Sequence, residues 1–445
     1  MRRAFIPGLL ILLAFNITAQ ESKFNELWND PQVIEHVDYD IEKYRKGDAE
    51  IKIVDKSSKP IKNAIIEVHQ LSHELLFGCN LFVLGKIETP ELNQKYKSRF
   101  TDLFNSATIP FYWRDLEPQE GKPRFGNGSE QIWRLPPSDQ LVKWCKTHNI
   151  TPKGHALMYN RNTLMPDWTE WNDPELFMKQ ACFHIEGIAN RYKNDIPVWD
   201  VVNEERYRIL NPDLSHKVPD DYLVRCFRIA CNLFPQDVKL LYNDDTQNHD
   251  RPDLYEGFVN TVIKRGLRID GMGLQFHLFN LDSRNEFLEG SLYPLYQLTG
   301  TYDQLEKTGL PLYITEITIA GNGENGPMLQ ALIVRNLYRL WFSIKNMAGI
   351  TWWNLGDGTA YGSENNALGG LLDKNMDPKP AYEELDKLIN HEWKTNITLQ
   401  TGSSNIAKFR GFYGKYRLTV KNNGKTEIKE MELTKGRSNI FIIQL

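Results

Sequence analysis

Cysteine is scarce: five residues in a chain of 445. The number is odd, and no Cys-x-x-Cys pair occurs. Cys226 and Cys231 lie five apart on an expected helix, a poor spacing for a bridge. Cys79, Cys145 and Cys182 sit in apolar surroundings. The set reads as buried free thiols rather than a disulfide framework. No His-Glu-x-x-His motif is present, so no dedicated zinc site is indicated. An excess of one charge is also missing, with 53 Lys and Arg against 57 Asp and Glu. A net charge of -4 is unlike a nucleic-acid binder, which clusters positive charge. No Gly-x-Gly-x-x-Gly turn follows the first expected strand, which argues against a dinucleotide-binding, doubly wound sheet. There is no Ser- or Gly-rich linker and no internal repeat. No apolar run is long enough to favour a membrane span.

What remains is a globular composition. Hydrophobic residues make 41%, charged residues 25% and aromatics 11%, which excludes disorder, collagen and coiled coil for the whole chain. Eleven Trp and nineteen Tyr are many, and they ask for a reason. The amino terminus has the pattern of an export signal. Met1-Arg2-Arg3 is basic, residues 5–15 are apolar, and Ile17-Thr18-Ala19 offers a cleavage site. Residues 1–19 are therefore expected to be a signal peptide, and the mature protein to be secreted or periplasmic.

The middle of the chain alternates. Candidate strands, most of them short apolar or aromatic runs, begin near Leu75, Ser106, Ile150, Val198, Val238, Gly271, Leu310 and Gly349. Near-continuous apolar strands suit a parallel sheet covered on both faces. Each interval leaves room for a helix. One is expected from about Pro174 to Asn194, with Phe177, Ala181, Ile185, Ile188 and Tyr192 on one face. Another is expected from about Met328 to Met347, with Leu329, Leu332, Ile333, Leu337, Leu340 and Ile344 inward. Eight strand–helix units over residues 73–395 point to an α/β fold, a (β/α)8 or TIM barrel. The flanks alternate with period two. Within 20–72, residues 49–70 read as a β-hairpin, and residues 396–445 read as further strands with an Asn-Asn-Gly turn at 422–424. Neither flank alone can bury a core. The two are expected to meet in one accessory β-sandwich.

Barrel enzymes carry reactive groups at the carboxyl ends of their strands. The fourth apolar run ends in Asn203-Glu204, and the seventh in Thr315-Glu316. An ionised carboxylate buried there without partners costs several kcal/mol. Two of them facing one cleft suit glycosidic bond cleavage: one protonates the leaving oxygen, the other attacks the anomeric carbon or activates water. Their pKa values must be pushed apart for this.

The motifs around these residues make the chain similar to glycoside hydrolase family 10, the retaining endo-β-1,4-xylanases. Trp199-Asp200-Val201-Val202-Asn203-Glu204 resembles that family's acid/base strand, and Ile314-Thr315-Glu316 its nucleophile strand. Gly154-His155, Tyr242-Asn243-Asp244, Gln275-Phe276-His277, Gly349-Ile350-Thr351 with Trp353, and Glu117-Pro118 with Gly121-Lys122 follow in the family's order. The resemblance spans about residues 76–390. It implies a (β/α)8 barrel, with Glu204 as general acid/base and Glu316 as nucleophile. It implies sugar contacts from His155, Asn203, Gln275, His277 and Trp353, with His277 also orienting Glu316. Retention would need the two carboxyl groups about 5–5.5 Å apart. No metal or organic cofactor is implied, and the expected partner is a polysaccharide or oligosaccharide.

The departures concern the neighbouring sugar. Where the family carries Glu-Asn-x-x-Lys-Trp, this chain reads Thr108-Ile109-Pro110-Phe111-Tyr112-Trp113, so only Trp113 is retained. The family's Trp-His becomes Tyr159-Asn160, and a second family Trp aligns roughly with Tyr361. Tyr112, Trp113, Tyr159 and Tyr361 are therefore candidate substrate contacts at a rebuilt position. Buried hydrogen-bonding groups set substrate choice strongly. Xylan is the default substrate, with a decorated acidic or sulfated glycan as alternative, met by Arg114, Arg161 or Arg206 through bidentate contacts. A carbohydrate-binding barrel without catalysis is the rival from another class, and both carboxylates speak against it.

Overall fold

The computed structural model describes residues 23–245 and 249–445. The expected signal peptide, 1–19, lies outside the described residues. Fifteen strands are described: β1 (Lys46–Val54), β2 (Ile65–His73), β3 (Leu76–Asn80), β4 (Ser106–Pro110), β5 (Thr151–His155), β6 (Val198–Asn203), β7 (Lys239–Asp244), β8 (Gly271–Leu278), β9 (Leu312–Ile319), β10 (Met347–Trp352), β11 (Asn396–Gln400), β12 (Ile406–Phe412), β13 (Gly414–Asn422), β14 (Lys425–Leu433) and β15 (Ile440–Gln444).

Strands β3 to β10 close a parallel barrel in chain order, with β10 pairing β3. Each start lies within two residues of one singled out above. The strands are buried on both faces, so most read as largely apolar runs rather than alternation. Helices cover the outside. Pro174–Tyr192 begins with Asp173 capping the N–H groups of Glu175 and Leu176, and buries Phe177, Ala181, Ile185, Ile188 and Tyr192. Gly326–Ser343 is shorter than periodicity suggests. It ends before Ile344 because Met347 already opens β10.

The flanks form two sheets, ordered β12-β1-β15 and β11-β2-β13-β14. β1 and β2 lie in different sheets, so residues 49–70 do not form the hairpin that their alternation suggests. The segment after β1 crosses from one layer to the other. A true hairpin joins β13 to β14, with Asn422 paired to Lys425 across Asn423 (φ 47°) and Gly424 (φ 76°). Both central residues are left-handed, as a two-residue turn between right-twisted strands requires. Between the sheets lie Ile51, Ile53, Ile66, Val68, Phe409, Leu418, Val420 and Ile443. Arg45 fixes the sandwich to the barrel. It is buried, and its guanidinium donates to the carbonyls of Phe342, in the last turn of helix Gly326–Ser343, and of Ile344 and Met347 just beyond it. Carbonyls there have no helical partner of their own. All five cysteines are free, and Cys79, Cys145 and Cys226 are buried.

Candidate active site

Register assembles the site. Asn203, the last residue of β6, is paired with Asn243 of β7. Gln275 of β8 is paired with Glu316 of β9. Both ladders carry a register shift just before these residues, between Asp200 and Val202 and between Leu274 and Gln275. Irregularities of this kind re-aim side chains next to active sites. Asn203 ends β6, and Asn243 is the last residue but one of β7. Gln275 and Glu316 lie three residues before the ends of β8 and β9, so the seventh barrel strand runs past Glu316 rather than ending there. The four side chains thus meet in the carboxyl-terminal halves of neighbouring strands.

Glu204 is the first residue past β6, with φ 52° and ψ 51°. This left-handed conformation costs a non-glycine residue about 1–2 kcal/mol. Its N–H donates to the Asn243 carbonyl at 3.0 Å. Its Oε2 accepts from the Tyr159 hydroxyl, and its Oε1 from Gln275 Nε2 at 3.1 Å. Burial holds the Glu204 carboxyl above its ordinary range, and the charge of Glu316 adds to this against the Tyr159 and Gln275 hydrogen bonds.

Glu316 is 5% exposed. Its Oε1 accepts from Asn243 Nδ2 at 2.9 Å. His277 Nε2 lies 3.4 Å from Oε2, and His155 Nε2 lies 3.8 Å from Oε1. Burial works to raise the Glu316 carboxyl. The hydrogen bond with His277 and the electrostatic influence of His155, His277 and Lys153 outweigh it, so the carboxyl falls below its ordinary range.

Behind the two glutamates runs a buried polar train. Asp200 Oδ2 accepts from Lys153 and pairs with His155 Nδ1 at 2.8 Å. Burial opposes the Asp200 charge, but Lys153 and His155 overcome it and keep the carboxyl low. A carboxylate can only accept, so Nδ1 carries a proton and Nε2 is left facing Glu316. Asp244, beside Tyr242, is pushed by burial up to about 7.

The cleft has a volume of about 950 Å³, within the usual range for ligand sites. Its wall is aromatic. Trp353 and Tyr112 meet the His155 ring edge-on, at centroid distances of 5.4 and 5.6 Å. Phe82 touches both, at 5.2 and 5.9 Å. Tyr361 stands at the rim, 59% exposed, against Trp133.

The cleft therefore brings together Glu204, Glu316, His155, Asn203, Gln275, His277, Trp353, Tyr159, Tyr112 and Tyr361. It does not include Trp113, which corrects the reading of that residue as a sugar contact. Trp113 is 3% exposed, stacks on His184 at 4.3 Å and donates to Glu117 at 3.0 Å. Tyr112 and Trp113 are consecutive and open a one-turn helix, Trp113–Leu116. Tyr112 takes the cleft side, so its neighbour turns into the core. Of the three arginines, Arg114 and Arg161 line the cleft. Arg206 pairs with Asp245 at 3.4 Å.

Several participants escaped sequence reasoning. Asp200 interrupts an apolar strand, and that interruption was the available signal, whereas Lys153 lies in the mixed strand Thr-Pro-Lys-Gly-His, which gave none. Asn243 stood inside a quoted motif without an assigned task. Arg134 gave no signal: it follows an irregular segment and becomes buried by donating to Asn354 Oδ1 at 2.8 Å and to the Thr359 carbonyl. Among the described residues, no group of three or more His, Cys, Asp or Glu is arranged to hold a metal ion. No helix among them is long and apolar enough to cross a membrane.

Comparison with known proteins places this geometry. The sequence profile described as "Glycosyl hydrolase family 10" matches residues 82–388. The anti-sigma-I factor RsgI6 of Acetivibrio thermocellus is 26% identical over 396 residues, 88% of this chain and 47% of that protein. Endo-1,4-beta-xylanase 3 of Hypocrea jecorina is 28% identical over 286 residues, 61% of this chain and 71% of that protein. The chain thus spans about half the length of the first relative. Among solved structures, xylanase 10B from Thermotoga petrophila, in complex with xylobiose, superposes with a TM-score of 0.55 at 21% identity, over 72% of this chain and 95% of that one. This likeness concerns the fold. With the profile covering all eight barrel strands except the first, the chain belongs to glycosyl hydrolase family 10.

Proposed function

We propose that the protein is a retaining glycoside hydrolase that cleaves a β-linked polysaccharide, with 1,4-β-xylan as the default substrate. One observation carries the reading. Two glutamates in one cleft have their carboxyl groups driven in opposite directions, Glu204 up and Glu316 down. That is the division of labour that double displacement needs. Glu204 donates its proton to the glycosidic oxygen as the bond to the leaving sugar breaks. Glu316 attacks the anomeric carbon and forms a glycosyl ester. Glu204, now ionised, takes a proton from water, and the oxygen of that water displaces Glu316.

The surrounding groups serve these steps. Asn203 Oδ1 accepts from Asn243 at 2.7 Å and from Gln275 at 3.5 Å. Its amide N–H groups remain to donate to a sugar hydroxyl, a contact that strengthens as charge develops. His155 and His277 hold Glu316 ionised, and Trp353 offers a flat apolar face to a pyranose ring. Relatives named as xylanases support xylan, and the altered Thr108, Ile109 and Tyr112 are where the choice of the neighbouring sugar would change. Export through residues 1–19 is part of the proposal, and amino-terminal sequencing of protein recovered outside the cytoplasm tests it.

The experiment for the reaction is hydrolysis of a panel of plant and algal polysaccharides, with NMR of the first anomer released. Retention of configuration is expected, and Glu316→Ala should abolish release. Inverted product, or undiminished activity in that variant, would refute the assignment.

A further inference from the structure

Charges along the cleft wall are not evenly compensated. Arg114 pairs with Asp115 at 3.4 Å. Asp245 pairs with Arg206. Glu364 accepts from Asn354 at 3.0 Å. Glu316 is met by His155 and His277. Arg134 spends donors on Asn354 and on the Thr359 carbonyl. Arg161 is different. It lines the cleft partly buried and forms no ion pair among the described residues.

Its side chain is nonetheless held in place. The guanidinium lies over the Tyr207 ring at 4.4 Å from the centroid. One nitrogen, Nη1, donates to the Tyr159 hydroxyl at 3.4 Å. That hydroxyl in turn donates to Glu204. A guanidinium carries five N–H donors in a rigid fork, and most of this fork is uncommitted. Stacking on an aromatic face fixes its plane, so little rotamer freedom remains to be lost on binding. The carboxyl whose charge acts on it, Glu204, is the group that must be protonated when substrate binds, and in that state it is no counter-ion.

We propose that Arg161 is an anchor for an anionic substituent of the glycan, a carboxylate or sulfate borne next to the bond that Glu204 protonates. The proposal deepens the glycosidase reading and rests on it only for the identity of the cleft. The fork geometry suits both anions, since each presents paired oxygens. Arg161 is a specificity-determining residue here; its charge also favours the ionised form of Glu204, which is why the test reads binding and not turnover.

The test is binding, so that it stands apart from turnover. The full chain carrying Glu316→Gln is titrated calorimetrically with three xylo-oligosaccharides of equal length: unsubstituted, bearing one glucuronic acid, and bearing one sulfate. At least one charged ligand should bind about tenfold or more tightly than the neutral one, as a charge-assisted hydrogen bond to an anion allows. The ligand that gains identifies the anion. Adding Arg161→Met should erase the gain without weakening the neutral ligand, and Arg161→Lys should restore part of it. Equal affinity for all three, a preference that survives Arg161→Met, or no binding of any ligand would overturn the proposal. Failure of the hydrolytic reading would appear elsewhere, as absence of product release by the unmodified enzyme.

Discussion

Glu204→Gln keeps the shape of the acid and removes its proton. It should lower kcat/KM by about 10²–10⁴-fold, the usual worth of a positioned general acid. A loss below tenfold on an unactivated polysaccharide would deny Glu204 its role. The two carboxyl groups also set the pH profile. Activity should fall at low pH as Glu316 protonates through its lowered pKa, and at high pH as Glu204 ionises through its raised one. Tyr159 donates to Glu204 and thereby favours the ionised form. Tyr159→Phe should move the alkaline limb of kcat/KM to higher pH and leave the acid limb in place. A limb that stays still or moves down would show that Tyr159 does not govern the acid.

The elements converge closely, and glycines permit it. A Cβ on Gly154 of β5 would lie 2.2 Å from the Trp199 ring, which is fully buried on β6. Gly154→Ala should therefore destabilise by about 1–3 kcal/mol through overpacking, visible as a lower Tm. A Cβ on Gly273 of β8 would meet Asn243 Oδ1 at 2.6 Å and Thr315 Cγ2 at 2.8 Å. Gly273→Ala should displace Asn243 from Glu316, so activity should fall more steeply than Tm. At this scale the sequence was highly legible for the barrel. Most of the eight strands were announced by short apolar or aromatic runs, because a strand buried on both faces is largely apolar, while β5, Thr-Pro-Lys-Gly-His, is an exception. Glu204 and Glu316 stood out as carboxylates beside apolar runs, Glu204 just past the end of β6 and Glu316 inside β9, which continues to Ile319 beyond the end expected from the sequence. Period-two alternation in the flanks was less informative. It says that one face is buried, not which strand lies alongside, and so 49–70 resembled a hairpin while β1 and β2 belong to opposite layers. Trp113 shows a similar limit: one step along the chain separates a residue at the cleft from one in the core. The train Lys153–Asp200–His155 joins residues 45 to 47 positions apart, and only the folded register reveals that they touch.

On the scale of the whole molecule, the sandwich takes strands from both ends. β1 lies between β12 and β15, and β2 between β11 and β13. Truncation at residue 396 would strip the cover from Ile51, Ile53, Ile66 and Val68, all essentially buried. Each such side chain contributes about 1.5–3 kcal/mol when fully buried. The shortened chain should melt at a clearly lower temperature or fail to stay soluble. An unchanged Tm would mean that the barrel does not depend on the sandwich.

The Thr395 N–H that bonds Gln70 comes from 325 residues away. Bringing two such distant points together in an otherwise floppy polymer costs on the order of 5 kcal/mol in loop entropy. A collapsed barrel in between shortens that search to the gap between its own first and last strands, which are hydrogen-bonded neighbours. Closure of the ring thus acts as a clasp that delivers both tails to the same spot, and the small module should assemble last and come apart together with the ring that holds its halves.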